Sequence, residues 1–208
     1  MQSYKEQIQF EQLQKRMDDL SVLYHKYDIV INCTGLGAAG LKQCQDDVPN
    51  LRRSYGLVLR VHAPFIQHWV RYDTESEKIT HVYPRIRDCI LGGCKRLLAP
   101  DEPSIKEANQ NDIQAIIDRC CEIMPELKQK PVQILEILQG ERPYRISGVR
   151  LEAVQINEQP NGHNILLIHN YGHAGQGYCL AYGCAEEVIL MIKKYLQQDN
   201  ISIYSSRF

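Results

Sequence analysis

The chain has 208 residues, 24 of them basic and 25 acidic, for a net charge of −1. That balance argues against a nucleic-acid or membrane-surface partner, and no run of about 18 apolar residues is present to span a bilayer. The length allows one or two domains with a sizeable core. The first residues, MQSYKEQIQF, lack the basic and apolar regions of a secretory signal. Eight cysteines are scattered without a Cys-x-x-Cys pair or a Cys/His ligand cluster, the usage of an intracellular protein with reduced thiols and no metal site.

In chain order, residues 3–24 read as an amphipathic helix, with Ile8, Phe10, Leu13, Met17, Leu20 and Leu23 on one side. Residues 27–32, YDIVIN, are a β-branched strand ended by a turn at Cys33-Thr34-Gly35. Residues 43–53 are polar, contain Pro49 and read as a connection. A second strand covers 55–61, residues 72–78 are a solvated hairpin tip, and strands follow at 79–84 and 88–92. Gly92-Gly93 marks a bend or a close backbone approach. Residues 99–112 are a polar loop. Ile113, Ile116, Ile117, Cys120, Cys121 and Met124 then recur at helical spacing up to Pro125. A strand at 132–138, an arginine-rich connection at 140–148, a strand at 149–155 and a Pro160-Asn161-Gly162 hairpin turn lead to the last segment.

That last segment is the most informative. Four consecutive aliphatic residues, 165–168, predict a buried strand. Gly172, Gly175 and Gly177 then allow sharp turning and close ligand approach. From Gly177 onward Ala181, Cys184, Ala185, Val188, Ile189, Ile192 and Leu196 recur at helical spacing, so the loop opens a helix. Free N–H groups at such a helix start favour a group that is, or becomes, negative. As a bare pattern this suits either a ligand cradle or a tight strand-to-helix turn, and its glycine order differs from the Gly-x-Gly-x-x-Gly dinucleotide fingerprint.

The run His169-Asn170-Tyr171-Gly172-His173-Ala174-Gly175-Gln176-Gly177, with Gly183 and Ala185 beyond it, resembles the signature of the D-amino-acid oxidase family. The resemblance extends from about residue 27 to 195. It implies a mixed α/β flavoprotein in which an FAD-binding domain (1–55 and 149–208) interleaves with a mixed or antiparallel-sheet substrate domain (56–148). The family's N-terminal Gly-x-Gly-x-x-Gly segment, which holds the ADP half of FAD, has no match here. The chain therefore resembles the C-terminal part of an oxidase and is expected to bind FAD weakly by itself.

Site residues follow from the same resemblance. Cys33, Thr34 and Gly35 match a flavin-contacting strand end; Gly172, Ala174, Gly175, Gln176, Gly177, Tyr178 and Cys179 match the loop that lies against the isoalloxazine ring. Arg145 matches the arginine that clamps the substrate α-carboxylate through its planar fork. One additional residue, within Ile146-Ser147, separates it from Gly148-Val149-Arg150-Leu151, which makes Arg150 an alternative clamp or a structural ion-pair residue. His81 stands where the family presents a tyrosine hydroxyl, with Tyr83 on the same strand face. The Gly175 carbonyl corresponds to the acceptor for the substrate amine. Arg71, and Lys95 just after Gly92-Gly93-Cys94, match basic positions of members that act on D-aspartate.

The expected reaction is oxidation of a D-amino acid, acidic ones preferred, by oxygen to a 2-oxo acid, ammonia and hydrogen peroxide. A truncated remnant that binds flavin weakly or serves only as an interaction module is the competing reading, and a glycine or sarcosine oxidase relative is a third. The tail Ser206-Arg207-Phe208 resembles a Ser-Lys-Leu peroxisomal address, so peroxisome or cytoplasm is the expected location.

Overall fold

A computed structural model describes residues 11–13, 16–75, 78–129, 132–156 and 164–198. It is a mixed α/β chain in two compact units, Met1–Leu51 with Arg145–Phe208, and Arg52–Tyr144.

The first unit is built on a three-stranded sheet of β1 (Ile29–Asn32), β7 (Arg150–Ile156) and β8 (Ile165–Tyr171), in the order β1-β8-β7. β8 runs parallel to β1 and antiparallel to β7. Being central, it is covered on both faces, which explains its unbroken aliphatic run. Ile165 and Leu167 pack with Leu20, Tyr24, Val30, Leu41 and Cys44 on one side. On the other, Leu166 and Ile168 pack with Val188 and Tyr195 of helix α2 (Gly177–Gln198).

Sequence periodicity placed α2 correctly but not its whole buried face. Ile189 is half exposed at 50%, whereas Tyr195 is buried and donates its hydroxyl to the carbonyl of Asn164. The helix expected at 3–24 is a correction: its described part is irregular until a 3-10 turn at Leu20–Leu23. Asp19, in an extended conformation, accepts from the Ser21 amide and starts that turn. The remainder of that expectation, the hairpin turn at 160–162 and the tail at 206–208 lie outside the described residues.

The second unit is a five-stranded sheet, β3-β4-β5-β2-β6, formed by β2 (Leu51–Val61), β3 (Val70–Glu75), β4 (Lys78–Pro84), β5 (Cys89–Leu97) and β6 (Ile134–Arg145). Helix α1 (Gln110–Ile123) is capped by the Asn109 side chain on the Asn111 amide and buries Ile113, Ile116 and Cys120. These meet Leu57, Leu59, Val61, Val82 and Leu91 from one face of the sheet.

Three segments differ from expectation. The polar connection at 43–53 is a 3-10 run (Lys42–Asn50) leading into β2, and within it Asp47 is buried. The hairpin tip at 72–78 is mostly strand, because β3 continues to Glu75 and β4 begins at Lys78. The arginine-rich connection at 140–148 is strand as far as Arg145. Pro143 misleads there, since an edge strand tolerates proline, and β6 is an edge strand. No helix among the described residues is long and apolar enough to cross a membrane.

Candidate flavin and substrate sites

In the first unit, parallel pairing of β1 with β8 sets Asn32 opposite His169. Two segments more than a hundred residues apart, Cys33-Thr34-Gly35 and the 172–177 loop, thus leave the same end of neighbouring strands. Gly172 has φ 91° and Ala174 φ 50°, so the chain reverses through the left-handed region before a 3-10 turn (Ala174–Gln176) leads into α2. Gly175 and Gln176 are exposed, as are Tyr178 and Cys179 in the first turn of α2. A Cβ added to Gly177 would meet nothing nearer than 3.9 Å. The Gln176 amide donates to the His173 carbonyl at 2.9 Å, and the start of α2 that follows is the positive end of its dipole.

Beneath the loop lies a buried polar network that the sequence did not reveal. The Asn32 amide reaches His169 Nδ1 at 3.1 Å and the Cys44 thiol at 3.3 Å, while its Oδ1 accepts from the Thr34 amide and hydroxyl. His169 is 1% exposed; burial, aided by the Arg150 charge, lowers its pKa. Asp47, 2% exposed, accepts from Tyr171 Oη at 2.9 Å, Asn50 Nδ2 at 3.0 Å and Arg145 Nε at 2.9 Å. Burial raises the Asp47 pKa, but the Arg145, Tyr171 and Asn50 hydrogen bonds outweigh it and hold the carboxyl below its usual range.

Arg145 is therefore engaged. Its Nε and Nη2 face Asp47, and Nη1 donates to the Gly148 carbonyl. Arg150 donates to Tyr171 Oη at 3.0 Å and pairs with Asp46 and Glu152. Despite burial, the Tyr171 and Glu152 contacts raise its pKa.

In the second unit, the sheet face opposite α1 carries the remaining candidates. Arg71 of β3 pairs in register with His81 of β4, and His81 with Gly92 of β5. The His81 imidazole occupies the space that a Gly92 Cβ would take and stacks on Tyr83 at 4.4 Å between centroids. This is the physical reason for glycine at 92. Further along the same face, Gly56 of β2 pairs with Lys95 of β5, whose Nζ lies 6.0 Å from the Tyr144 ring centroid. The Arg142 guanidinium sits directly over Gly56, where any Cβ would collide with it. Arg142 is exposed and, among the described residues, has no acidic partner. Sequence reasoning passed over Arg142. The available signal was the pair of arginines three positions apart in Arg142-Pro143-Tyr144-Arg145, of which Arg145 pairs with Asp47 and Arg142, among the described residues, pairs with no carboxylate.

Residues 6–190 match the family described as FAD dependent oxidoreductase, DAO. The chain belongs to that family. It is 32% identical to human D-aspartate oxidase over 88% of its own length and 49% of the relative's. It is 33% identical to the D-amino acid oxidase of Dugesia ryukyuensis, covering 88% of this chain and 50% of that one. The chain thus spans about half the length of the curated relatives it matches. Among solved structures, glycine oxidase from Geobacillus kaustophilus superposes with a TM-score of 0.59 at 16% identity, over 80% of this chain and 41% of that one, a likeness of fold. Family membership makes FAD the group to test against the loop. The loop suits its ring end: an exposed Gly175, the positive end of a helix dipole and nothing nearer than 3.9 Å to the Gly177 Cβ position.

Proposed function

We propose that this chain carries the flavin-ring loop and the substrate-binding sheet of an FAD-dependent oxidase of D-amino acids, with acidic ones such as D-aspartate preferred. Bound FAD would supply hydride acceptance from the α-carbon and passage of the electrons to oxygen, giving a 2-oxo acid, ammonia and hydrogen peroxide. The protein's own task is orientation and charge stabilisation. In the first unit, Cys33 to Gly35 and the loop from Gly172 to Cys179 are the proposed flavin contacts. The amides at 175 and 177–179 are the proposed donors to the ring edge that becomes negative on reduction, the Gln176 amide being taken by the His173 carbonyl, and the Gly175 carbonyl is the proposed acceptor for the substrate amine.

In the second unit, we assign the α-carboxylate to Arg142 rather than Arg145. The supporting observation is that Asp47 and the Gly148 carbonyl already take the Arg145 donors, whereas Arg142 keeps its fork open on a sheet face. A second carboxylate entering a water-poor site needs its own cation, or its desolvation goes uncompensated. Arg71 and Lys95, on the same face, are the proposed cations, and His81, steadied by Tyr83, is the proposed polar contact in place of the family's tyrosine. Turnover of D-aspartate and D-alanine should be compared in the FAD-loaded protein and its Arg71→Leu variant. Selective loss for D-aspartate of about 2–5 kcal/mol of transition-state stabilisation is expected; equal losses for both substrates overturn the acidic preference.

A second reading, a weak flavin-binding or interaction module without turnover, draws on His81 standing in place of the family's tyrosine and on the engagement of Arg145 by Asp47. Flavin binding without oxidation of any D-amino acid would select it. The resemblance of Ser206-Arg207-Phe208 to a peroxisomal address and the need to confine peroxide support a peroxisomal location as part of the first reading.

A further inference from the structure

We propose that Asp47 is the positioning residue of the 172–177 loop: one buried carboxylate holds both the residue that precedes the loop and the side chain on which the loop's first glycine rests. The proposal rests on the reading above only for what the loop binds. Tyr171 ends β8 and is immediately followed by Gly172; its hydroxyl donates to Asp47 Oδ2 at 2.9 Å. Arg145 makes a two-sided contact with the same carboxylate, Nε at 2.9 Å and Nη2 at 2.9 Å. The Arg145 stem in turn lies against Gly172, its Cβ 2.8 Å from where a glycine substituent would stand. Asn50 donates a further bond at 3.0 Å, and the Ile146 amide donates to the Asn50 carbonyl at 2.9 Å, tying the stretch after Arg145 to the same turn.

The turn that carries Asp47 belongs to the Lys42–Asn50 segment, none of whose residues is assigned to flavin or substrate. Its carboxylate nevertheless fixes where the left-handed reversal at Gly172 begins. A charged group satisfied by several donors at once is costly to replace, and hydrogen bonds to charged groups are the stronger ones. Relaxing it lets Tyr171 and Arg145 move independently, and the loop loses its single starting direction. Asp47 is not a catalytic residue, because it acts through Tyr171 and Arg145.

The test is amide hydrogen exchange of the 208-residue chain and its Asp47→Asn variant, resolved by residue. Exchange of the Gln176 amide, which donates to the His173 carbonyl at 2.9 Å within the loop, should rise by about tenfold or more in the variant, with protection in β8 and in the second unit retained. Adding Tyr171→Phe to Asp47→Asn should produce little further change in the loop, since both act through one contact. If Asp47→Asn unfolds the first unit, Tyr171→Phe and Arg145→Lys are compared singly. Faster loop exchange with β8 intact supports the proposal in that case. Loop exchange equal to the parent chain in whichever variants fold overturns it. FAD binding is recorded alongside, over a titration wide enough to register weak binding: no binding by the parent chain even at the highest FAD concentration refutes the flavin reading, while the exchange result still decides the role of Asp47.

Discussion

Gly172→Ala isolates the cost of the loop's geometry. At φ 91° any side chain incurs left-handed strain, about 1–2 kcal/mol for a residue with a Cβ. The added methyl would also lie 2.8 Å from Arg145 Cβ and 3.3 Å from Arg145 Cδ. Because Arg145 is held at its far end by Asp47, its stem cannot swing aside freely, and overpacking adds about 1–3 kcal/mol. The sum is about 2–5 kcal/mol. Gly148→Ala supplies the control: its φ is 87°, with nothing within 4 Å of the Cβ position, so it carries the strain without the overlap. Gly183→Ala, inside α2 with open space around it, should instead stabilise by about 0.5–1 kcal/mol. Urea unfolding followed by far-ultraviolet circular dichroism gives the three values. Equal costs at 172 and 148 would refute the argument that Arg145 underlies the loop.

The remaining predictions concern burial and charge. Arg150→Met should destabilise by about 3–5 kcal/mol, because it removes the buried cation that donates to Tyr171 and pairs with Asp46, leaving Arg145 alone on Asp47; a loss under about 1 kcal/mol in urea unfolding would contradict the network. His169 has a lowered folded pKa, so its neutral form is the native one. Its contribution is present above its unfolded pKa of about 6.5 and is lost as pH falls below that value toward the folded pKa. His169→Gln should flatten the stability-against-pH curve in that window, and an unchanged slope would exclude the assignment. Burial pushes the Cys120 thiol to about 12 and the Cys89 thiol to about 11. At neutral pH a thiol reagent read by peptide mass should therefore label exposed Cys33 and Cys179 well before Cys89 and Cys120, and the reverse order would show the core to be wrongly assigned.

The elements with a strong pattern were legible in the sequence. The aliphatic run at 165–168 and the helical spacing after Gly177 and from Ile113 reflect burial that dominates local propensity. The 3–24 periodicity misled in its described part because amphipathic spacing alone does not select a helix when Asp19 starts a separate 3-10 turn. Pro143 and Gly140 hid the length of β6, since an edge strand asks little of its hydrogen-bonding donors. The loop itself was visible as glycine spacing, and parallel pairing of β1 with β8 brings Cys33 to Gly35 out at the same end of the sheet. What no local pattern could supply was pairing at a distance. Asp47 lies in a polar stretch that reads as surface, yet it contacts residues 98 and 124 positions away. The choice between Arg142 and Arg145 depends on the same contacts, so spacing to the Gly-Val-Arg-Leu run could not decide it.

Anaerobic addition of D-aspartate to the FAD-loaded protein, with the visible flavin band followed in the parent and in the Arg142→Leu and Arg145→Leu variants, tests the central assignment most directly. The account predicts bleaching by D-aspartate and not by L-aspartate in the parent. It predicts retained FAD with bleaching slowed by at least about 2 kcal/mol in Arg142→Leu. In Arg145→Leu it predicts weakened flavin binding through loss of the Asp47 contact. Bleaching at the parent rate in Arg142→Leu, or bound FAD that no D-amino acid reduces, would contradict it.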